Sequence, residues 1–582
     1  MKRSCLAFTG AIIFCSVPGS AGQAVVSPAL LSSSSAQNIQ VIVRYKTRPT
    51  MSQHLKAVSS GGVIKADLSM LNSGAYAIPA SSLKQIAADP AVLEIKEDRP
   101  IRALLDNSAA AVNAPAAWWL FRLDGSGVGV ALIDSGISSV DDLNTKGFLY
   151  RSRVVYRENF IHASSSDDYY GHGEHVAGII GGDGADSTCF NCSRTFRGIA
   201  PGVNLIDLRV LDSNGNGSDS FVIAAIQRAI QLKDTYNIRV INLSLGHPVF
   251  ESYQTDPLCQ AVELAWQAGI VVVVAAGNDG RDNSFGNQGY GTINSPGNDP
   301  YVITVGAMKS MGTPQRTDDL IASYSSKGPT PVDHILKPDI VAPGNRVVSL
   351  MAPNSYLEKN YPSNLVPLDY YEWTSARSNS TNYFTLSGTS MAAPVVSGAV
   401  ALLLQAHPKL TPDQVKARLM LTTYKKFPTS SVAYEPTTGQ SFTSYYDPFT
   451  IGAGYLDIQA ALLDTHTFRG TANSPTVSYS GGQITLTCGT NTICAENTSA
   501  QTAASLSLGH SLSATQSVWA SQSVWGSQAV WGSQSVWATQ SVWATQSVWA
   551  SQAVWGSQSV WATSTALTEA PGSVTVGIFG EN

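Results

Sequence analysis

Three polar side chains stand where a run of apolar residues gives way to a loop. Asp134 ends Ala131-Leu132-Ile133-Asp134-Ser135-Gly136. His172 lies in Gly171-His172-Gly173-Glu174-His175-Val176-Ala177-Gly178. Ser390 lies in Ser387-Gly388-Thr389-Ser390-Met391-Ala392-Ala393-Pro394. Singly, each has a plain explanation, as a turn cap, a structural imidazole or a helix N-cap. Together they supply the parts of nucleophilic catalysis. A serine hydroxyl is a poor nucleophile until a base takes its proton. A neutral imidazole can be that base when a carboxylate fixes its tautomer and stabilises the imidazolium that forms.

Such groups need a scaffold that collects them from distant positions. From about 125 to 420, β-branched runs at Val128–Ile133, Leu205–Val210, Val240–Leu245, Val271–Ala276 and Tyr301–Val305 alternate with helical stretches such as Ser220–Leu232 and Gln260–Ala268. Continuous apolar runs joined by helices predict an α/β fold with a doubly wound, mostly parallel sheet covered on both faces. In such sheets reacting groups gather at the carboxyl ends of the strands.

Across about 110–460 the chain resembles the subtilases, the subtilisin-like serine proteases. Asp-Ser-Gly at 134–136, His172-Gly173-x-His175-Val176-Ala177-Gly178 and Gly388-Thr389-Ser390-Met391-Ala392-x-Pro394 match that family's three catalytic motifs, in its order of aspartate, histidine and serine. The resemblance implies a serine endopeptidase with Asp134, His172 and Ser390 as triad. It also makes Asn278, in Ala275-Ala276-Gly277-Asn278, the oxyanion donor. Electrostatics gives the asparagine the same role, because a preorganised amide beside the developing negative charge is worth about 2.7–4 kcal/mol. The Ser390 N–H, at a helix N-terminus, is the second donor. Substrate backbone is expected along Ser244, Leu245 and Gly246 and along Ala275, Ala276 and Gly277, which implies polypeptide substrates and broad specificity.

Two departures from the family pattern carry expectations. Glu174 stands where a small Thr or Ser is usual, and a carboxylate there would raise the pKa of His172. The loop Asp183–Phe196 departs from the family's calcium loop and carries Cys189 and Cys192 instead. No cofactor is required for the chemistry. Asp142 is the one candidate ligand for a structural calcium, with a surface turn as the simpler account.

The flanking segments extend this reading. Residues 1–24, with a basic start, the apolar run Leu6–Val17 and small residues after it, read as a signal peptide, hence a secreted, extracellular or cell-envelope protein. Within a domain placed at 25–104, residues 38–100 show the order β-α-β-β-α-β of a small ferredoxin-like α+β unit. By resemblance this is an inhibitor propeptide, removed by self-processing of a zymogen near 100–107. The peptidase domain spans 105–465, a Ser/Thr/Gly-rich linker or small β unit 466–513, and a tail 564–582. Removing the signal leaves 7 − 2 = 5 of the seven cysteines. Cys189 with Cys192 and Cys488 with Cys494 are the local disulfide candidates, and Cys259 is left over.

Between 514 and 563, tryptophans at 519, 525, 531, 537, 543, 549, 555 and 561 recur every six residues, with no charge and no proline. Six is even, so an extended chain turns every Trp to one side and every Val to the other, which predicts a β-rich, repetitive region. An exposed indole face would serve self-association or attachment to a cell surface or polysaccharide; a self-packed coil or spacer is the alternative. A net charge of −5, from 36 basic and 41 acidic residues, creates no field for a polyanion and argues against nucleic acid. Absence of a long uninterrupted apolar stretch argues against a transmembrane helix.

Two rival functions remain. An esterase would carry Gly-x-Ser-x-Gly with serine before histidine, and this chain has neither. A surface or adhesive repeat protein with a vestigial peptidase domain is opposed by the intact triad and asparagine.

Overall fold

The computed structural model describes residues 24–26, 30, 38–97, 104–145, 151–161, 163, 165–284, 286–374, 378–435, 438–480, 483–488, 504–506 and 580–581. The signal-peptide reading of 1–24 falls almost entirely outside these residues, as do the Trp repeats of 514–563 and Cys494. The chain forms two units, Met1–Ile101 and Arg102–Asn582.

In the first unit, helices Met51–Ser59 and Leu83–Ala87 accompany a five-stranded sheet. Its order is Val25–Val26, Val92–Glu97, Asn38–Tyr45, Ser73–Pro79, Val63–Leu68. The alternation of Ile39, Val41 and Val43 puts these three side chains into one core, with Ala57, Leu83 and Ile86 of the helices. Ser82 precedes the second helix, but its hydroxyl donates to the Ser60 carbonyl at 2.6 Å and does not cap that helix. The edge strand at 25–26 was not legible, because two residues give no periodicity.

The second unit is built on an eight-stranded sheet. The order is Leu320–Ile321, Ile303–Lys309, Val271–Ala275, Ile238–Leu243, Gly129–Asp134, Asn204–Arg209, Val154–Asn159, with Ile340–Pro343 also pairing with Ile303–Lys309. All pairings are parallel except that of the short edge strand Leu320–Ile321. The reason is visible in the strands: Val271 to Val274 are buried without alternation, as a sheet covered on both faces requires. Helix Thr389–Ala406 is long and apolar enough by composition to cross a membrane, yet it is a buried core helix. It packs on strands 238–243, 271–275 and 303–309 and on helix His172–Gly181.

Strand Gly129–Asp134 comes first in this sheet's chain order yet lies between two later strands, so chain crossovers run away from it in both directions. A crevice opens at the carboxyl ends beside such a reversal. Phe468, Ala472, Val477 and Leu486 belong to the same core. Ser474 is buried there, donating to Asp339 Oδ1 at 2.6 Å, and strands Thr476–Ser480, Gln483–Thr487 and Ala504–Leu506 form a small antiparallel sheet.

Candidate active site

Asp134 is the last residue of its strand, and Gly136, at φ 116°, turns the chain sharply just beyond it. His172 opens helix His172–Gly181. The two segments lie backbone to backbone. A Cβ on Gly173 would fall 2.2 Å from the Gly136 carbonyl oxygen, so only glycine permits the approach. The approach brings His172 Nδ1 to 2.8 Å from Asp134 Oδ1, and Asp134 is buried. Burial alone would lower the pKa of His172, but the charges of Asp134 and Asp168 outweigh it and hold the imidazole above its ordinary value.

Ser390 is the second residue of helix Thr389–Ala406, after the turn at Gly388 (φ 141°). Its hydroxyl donates to the Ser244 carbonyl at 3.0 Å, and the Ser244 hydroxyl donates back to the Ser390 carbonyl at 2.8 Å. Pro394 explains the second bond. Four residues beyond Ser390 it has no N–H, so the Ser390 carbonyl lacks its helical partner and takes a side-chain donor. Asn242 donates in turn to Ser244 Oγ at 3.0 Å and accepts from Ser397 at 2.8 Å. The structure thus joins Asp134 to His172 directly and places the Ser390 hydroxyl on Ser244.

Asn278 follows strand Val271–Ala275. Its Oδ1 accepts from the Thr389 N–H at 2.9 Å and from the Thr389 hydroxyl at 3.2 Å. With the oxygen fixed this way, Nδ2 is the end left to donate. A Cβ on Gly388, two residues from Ser390, would lie 3.4 Å from that nitrogen. Thr389, not singled out from sequence, is therefore what sets the amide's orientation.

The two segments expected to meet substrate backbone differ in what their peptide groups already bond. Leu245 and Gly246 follow strand Ile238–Leu243, and their peptide groups have no hydrogen-bond partner among the described residues. Ser244 carries the Ser390 pair described above. At Ala275, Ala276 and Gly277 the peptide groups are engaged within the chain. Ala275 is paired within the sheet, Ala276 donates to Val305 and accepts from Asn294, and Gly277 exchanges bonds with the Thr389 hydroxyl and accepts from the Ser326 N–H. The chain's own fold has taken these groups, so this segment's contribution is to place Asn278.

Glu174 is corrected. It is buried, accepts from the Ser138 N–H, and faces Asp168 and Asp207. Burial first, then the Asp168 charge, pushes its carboxyl well above the ordinary range despite Arg157. Glu174 is not among the groups that raise the pKa of His172. The carboxylate that does so besides Asp134 is Asp168, which accepts from Gly171 at 2.7 Å and from the Glu174 N–H at 2.8 Å. Its sequence signal was weak, an acidic residue four before the histidine. His175 is a structural imidazole. Its Nε2 lies 3.0 Å from the Val347 carbonyl, and burial with the nearby His172 pushes its pKa down to about 3.

Asp142 is not on a surface turn. It is fully buried, its Oδ1 accepts from the Asp186 N–H at 2.7 Å, and its Oδ2 accepts from the Tyr383 hydroxyl at 2.8 Å. Burial raises its pKa to about 7. Each of its oxygens is thus already satisfied by one protein donor. The nearby loop is held by a Cys189–Cys192 disulfide, while Cys259 is free and buried. Glu372 lies close to the two sulfurs, but as a disulfide they are not thiolate ligands. Cys488 is disulfide-bonded as well.

The model of the Subtilase family matches residues 125–454, more than half of the chain. Serine protease AprX of Bacillus subtilis (strain 168) is 37% identical over 364 residues, covering 61% of this chain and 75% of that protein. An extracellular serine proteinase of Thermus sp. (strain Rt41A) is 35% identical over 373 residues, 62% of this chain and 72% of its own. Subtilisin E of B. subtilis is 33% identical over 405 residues, 69% and 83% respectively. With a parallel sheet that brings an aspartate and a histidine within hydrogen-bond reach beside a serine-bearing helix, the chain belongs to the subtilase family and is a subtilisin-like serine endopeptidase.

Proposed function

We propose that the protein is a secreted endopeptidase that hydrolyses peptide bonds through an acyl-enzyme and matures by cutting off its own residues 25–104. The observation that carries this reading is the 2.8 Å pair of His172 Nδ1 and buried Asp134. That contact holds the Nδ1 proton, so Nε2 is the nitrogen left to act as base.

In the resting arrangement the Ser390 hydroxyl rests on Ser244. Rotation about its Cα–Cβ bond would pass the proton toward His172, as hydrogen bonds of this kind tighten when substrate is bound. Ser390 then attacks the peptide carbonyl. The new oxyanion is held by Asn278 Nδ2 and the Ser390 N–H, His172 delivers its proton to the leaving amine, and water releases the acyl group. Leu245 and Gly246 offer free peptide groups to an extended substrate, a mode that reads main chain more than side chains.

The small first unit acts in this reading as a ferredoxin-like inhibitor and folding template. The Trp repeats, known here from sequence alone, would serve self-association or attachment to a cell surface. The test is expression of the chain beside Ser390→Ala. A wild-type band shortened by the propeptide, labelled by a fluorophosphonate probe, with an uncut and unlabelled mutant, supports the proposal. Equal, unprocessed and unlabelled bands would sink it and favour a vestigial peptidase domain.

A further inference from the structure

Away from the acyl-transfer groups, the second unit encloses a carboxylate from residues 580–581. Glu581 is buried, 6% exposed, although the described residues nearest before its pair in sequence are 504–506. Its Oε1 accepts from Arg281 Nη2 at 2.8 Å, from the Ser323 N–H at 2.9 Å and from the Ser323 hydroxyl. Its Oε2 lies 3.1 Å from Lys309 Nζ. Asn345 reads the main chain of the same residue: its Oδ1 accepts from the Glu581 N–H at 2.8 Å, and its Nδ2 donates to the Glu581 carbonyl at 3.0 Å.

The residue before it is selected by space. Gly580 has φ 73°, and a Cβ there would lie 2.4 Å from Ser387 Oγ and 2.6 Å from Arg346 Cγ. The pocket therefore demands glycine, then glutamate. Arg281 and Lys309 are 14% and 5% exposed; Arg281 also pairs with Glu435 at 3.1 Å through Nη1, and its Nη2, with Lys309 Nζ, faces the Glu581 carboxylate. Charged donors, an amide matched to one peptide unit and a steric filter make a built recognition site.

We infer that this is a peptide-binding site for a Gly-Glu pair, built from residues other than the triad and Asn278 and filled by the chain's own Gly580–Glu581. Docking fastens the far end of segment 507–579 to the peptidase domain. The site also shares its floor with the nucleophile turn: the Arg346 N–H donates to Ser387 Oγ at 2.8 Å, and the Gly388 N–H donates to the Gly344 carbonyl at 2.8 Å.

The test uses the full chain carrying Ser390→Ala, so that no self-cleavage intervenes, and the same chain ending at residue 579. A labelled peptide Ile-Phe-Gly-Glu-Asn is expected to bind the shortened chain saturably, about tenfold or more tightly than its Glu→Gln analogue. It should not bind the full chain, whose site is filled. Absence of binding to a shortened chain with a native circular dichroism spectrum, or equal binding of both peptides, overturns the inference. Should the shortened chain fail to fold, the full chain with Glu581→Gln decides. A lowered Tm with faster amide exchange over 387–390 supports the site, and unchanged values of both overturn it.

Discussion

Ser390 and Ser244 exchange two hydrogen bonds, hydroxyl to carbonyl in each direction, at 3.0 and 2.8 Å. The two bonds have different standing. The one from Ser390 is made by a rotor that substrate can turn. The one from Ser244 satisfies a carbonyl that Pro394 leaves without a helical partner. Ser244→Ala should therefore cost stability, about 1–3 kcal/mol for a buried carbonyl left unpaired. The Ser390 hydroxyl keeps its backbone acceptor, so kcat should stay within a few-fold of wild type. Urea denaturation and steady-state kinetics on the same preparation check both halves.

Asp134→Asn removes the charge that fixes the His172 tautomer while keeping the shape of the site. A fall in kcat of about 10⁴-fold is expected, with KM little changed. Asn278→Leu removes a donor used only once the oxyanion forms, so the loss should be about 10²–10³-fold and again confined to kcat. An increase in KM with kcat intact would remove Asn278 from the transition state.

The acid limb of kcat/KM reports protonation of His172, since only neutral imidazole accepts the serine proton. Asp134 and Asp168 hold that pKa above the ordinary 6.5, so the limb should lie on the alkaline side of that value. Asp168→Asn removes one of the two charges and should move the limb toward lower pH. Glu174→Gln should leave it in place. A limb that ignores Asp168 and follows Glu174 would reverse this assignment.

Glu174 also makes a stability prediction. Its folded pKa is raised well above the unfolded value near 4.5, so between these two values the folded state binds more protons than the unfolded one. Stability from this group is full below about 4.5 and is lost as pH rises toward the folded value. Glu174→Gln has no proton to lose. The Tm of that variant minus the Tm of wild type should grow as pH is raised from about 4.5 to neutrality, and a constant difference would show the carboxyl to be ionised in the fold.

What could be read from the sequence depended on whether the signal was local. The strand Val271–Ala275 and the helix at Thr389–Ala406 announce themselves by unbroken apolar runs. Asp134, His172 and Ser390 stand at the ends of such runs, inside long motifs. The missed features are relations between distant residues. Nothing near Ala275–Gly277 tells that Val305, Asn294 and Thr389 will occupy their peptide groups. Asp142 looked like a surface turn because its donors, Asp186 and Tyr383, lie 44 and 241 positions away. The effect of Glu174 on His172 was misjudged because a sequence shows that a carboxyl exists and not how deeply it is buried.

The burial of Glu581 bears on how this chain would come apart. Residue 506 and residue 580 both belong to the unit built on the eight-stranded sheet. A single nick by any protease between those points would leave both new ends anchored, one by the continuing chain and one by the grip on the glutamate. Shedding the tryptophan-bearing stretch would take either two nicks or one nick followed by release of that grip.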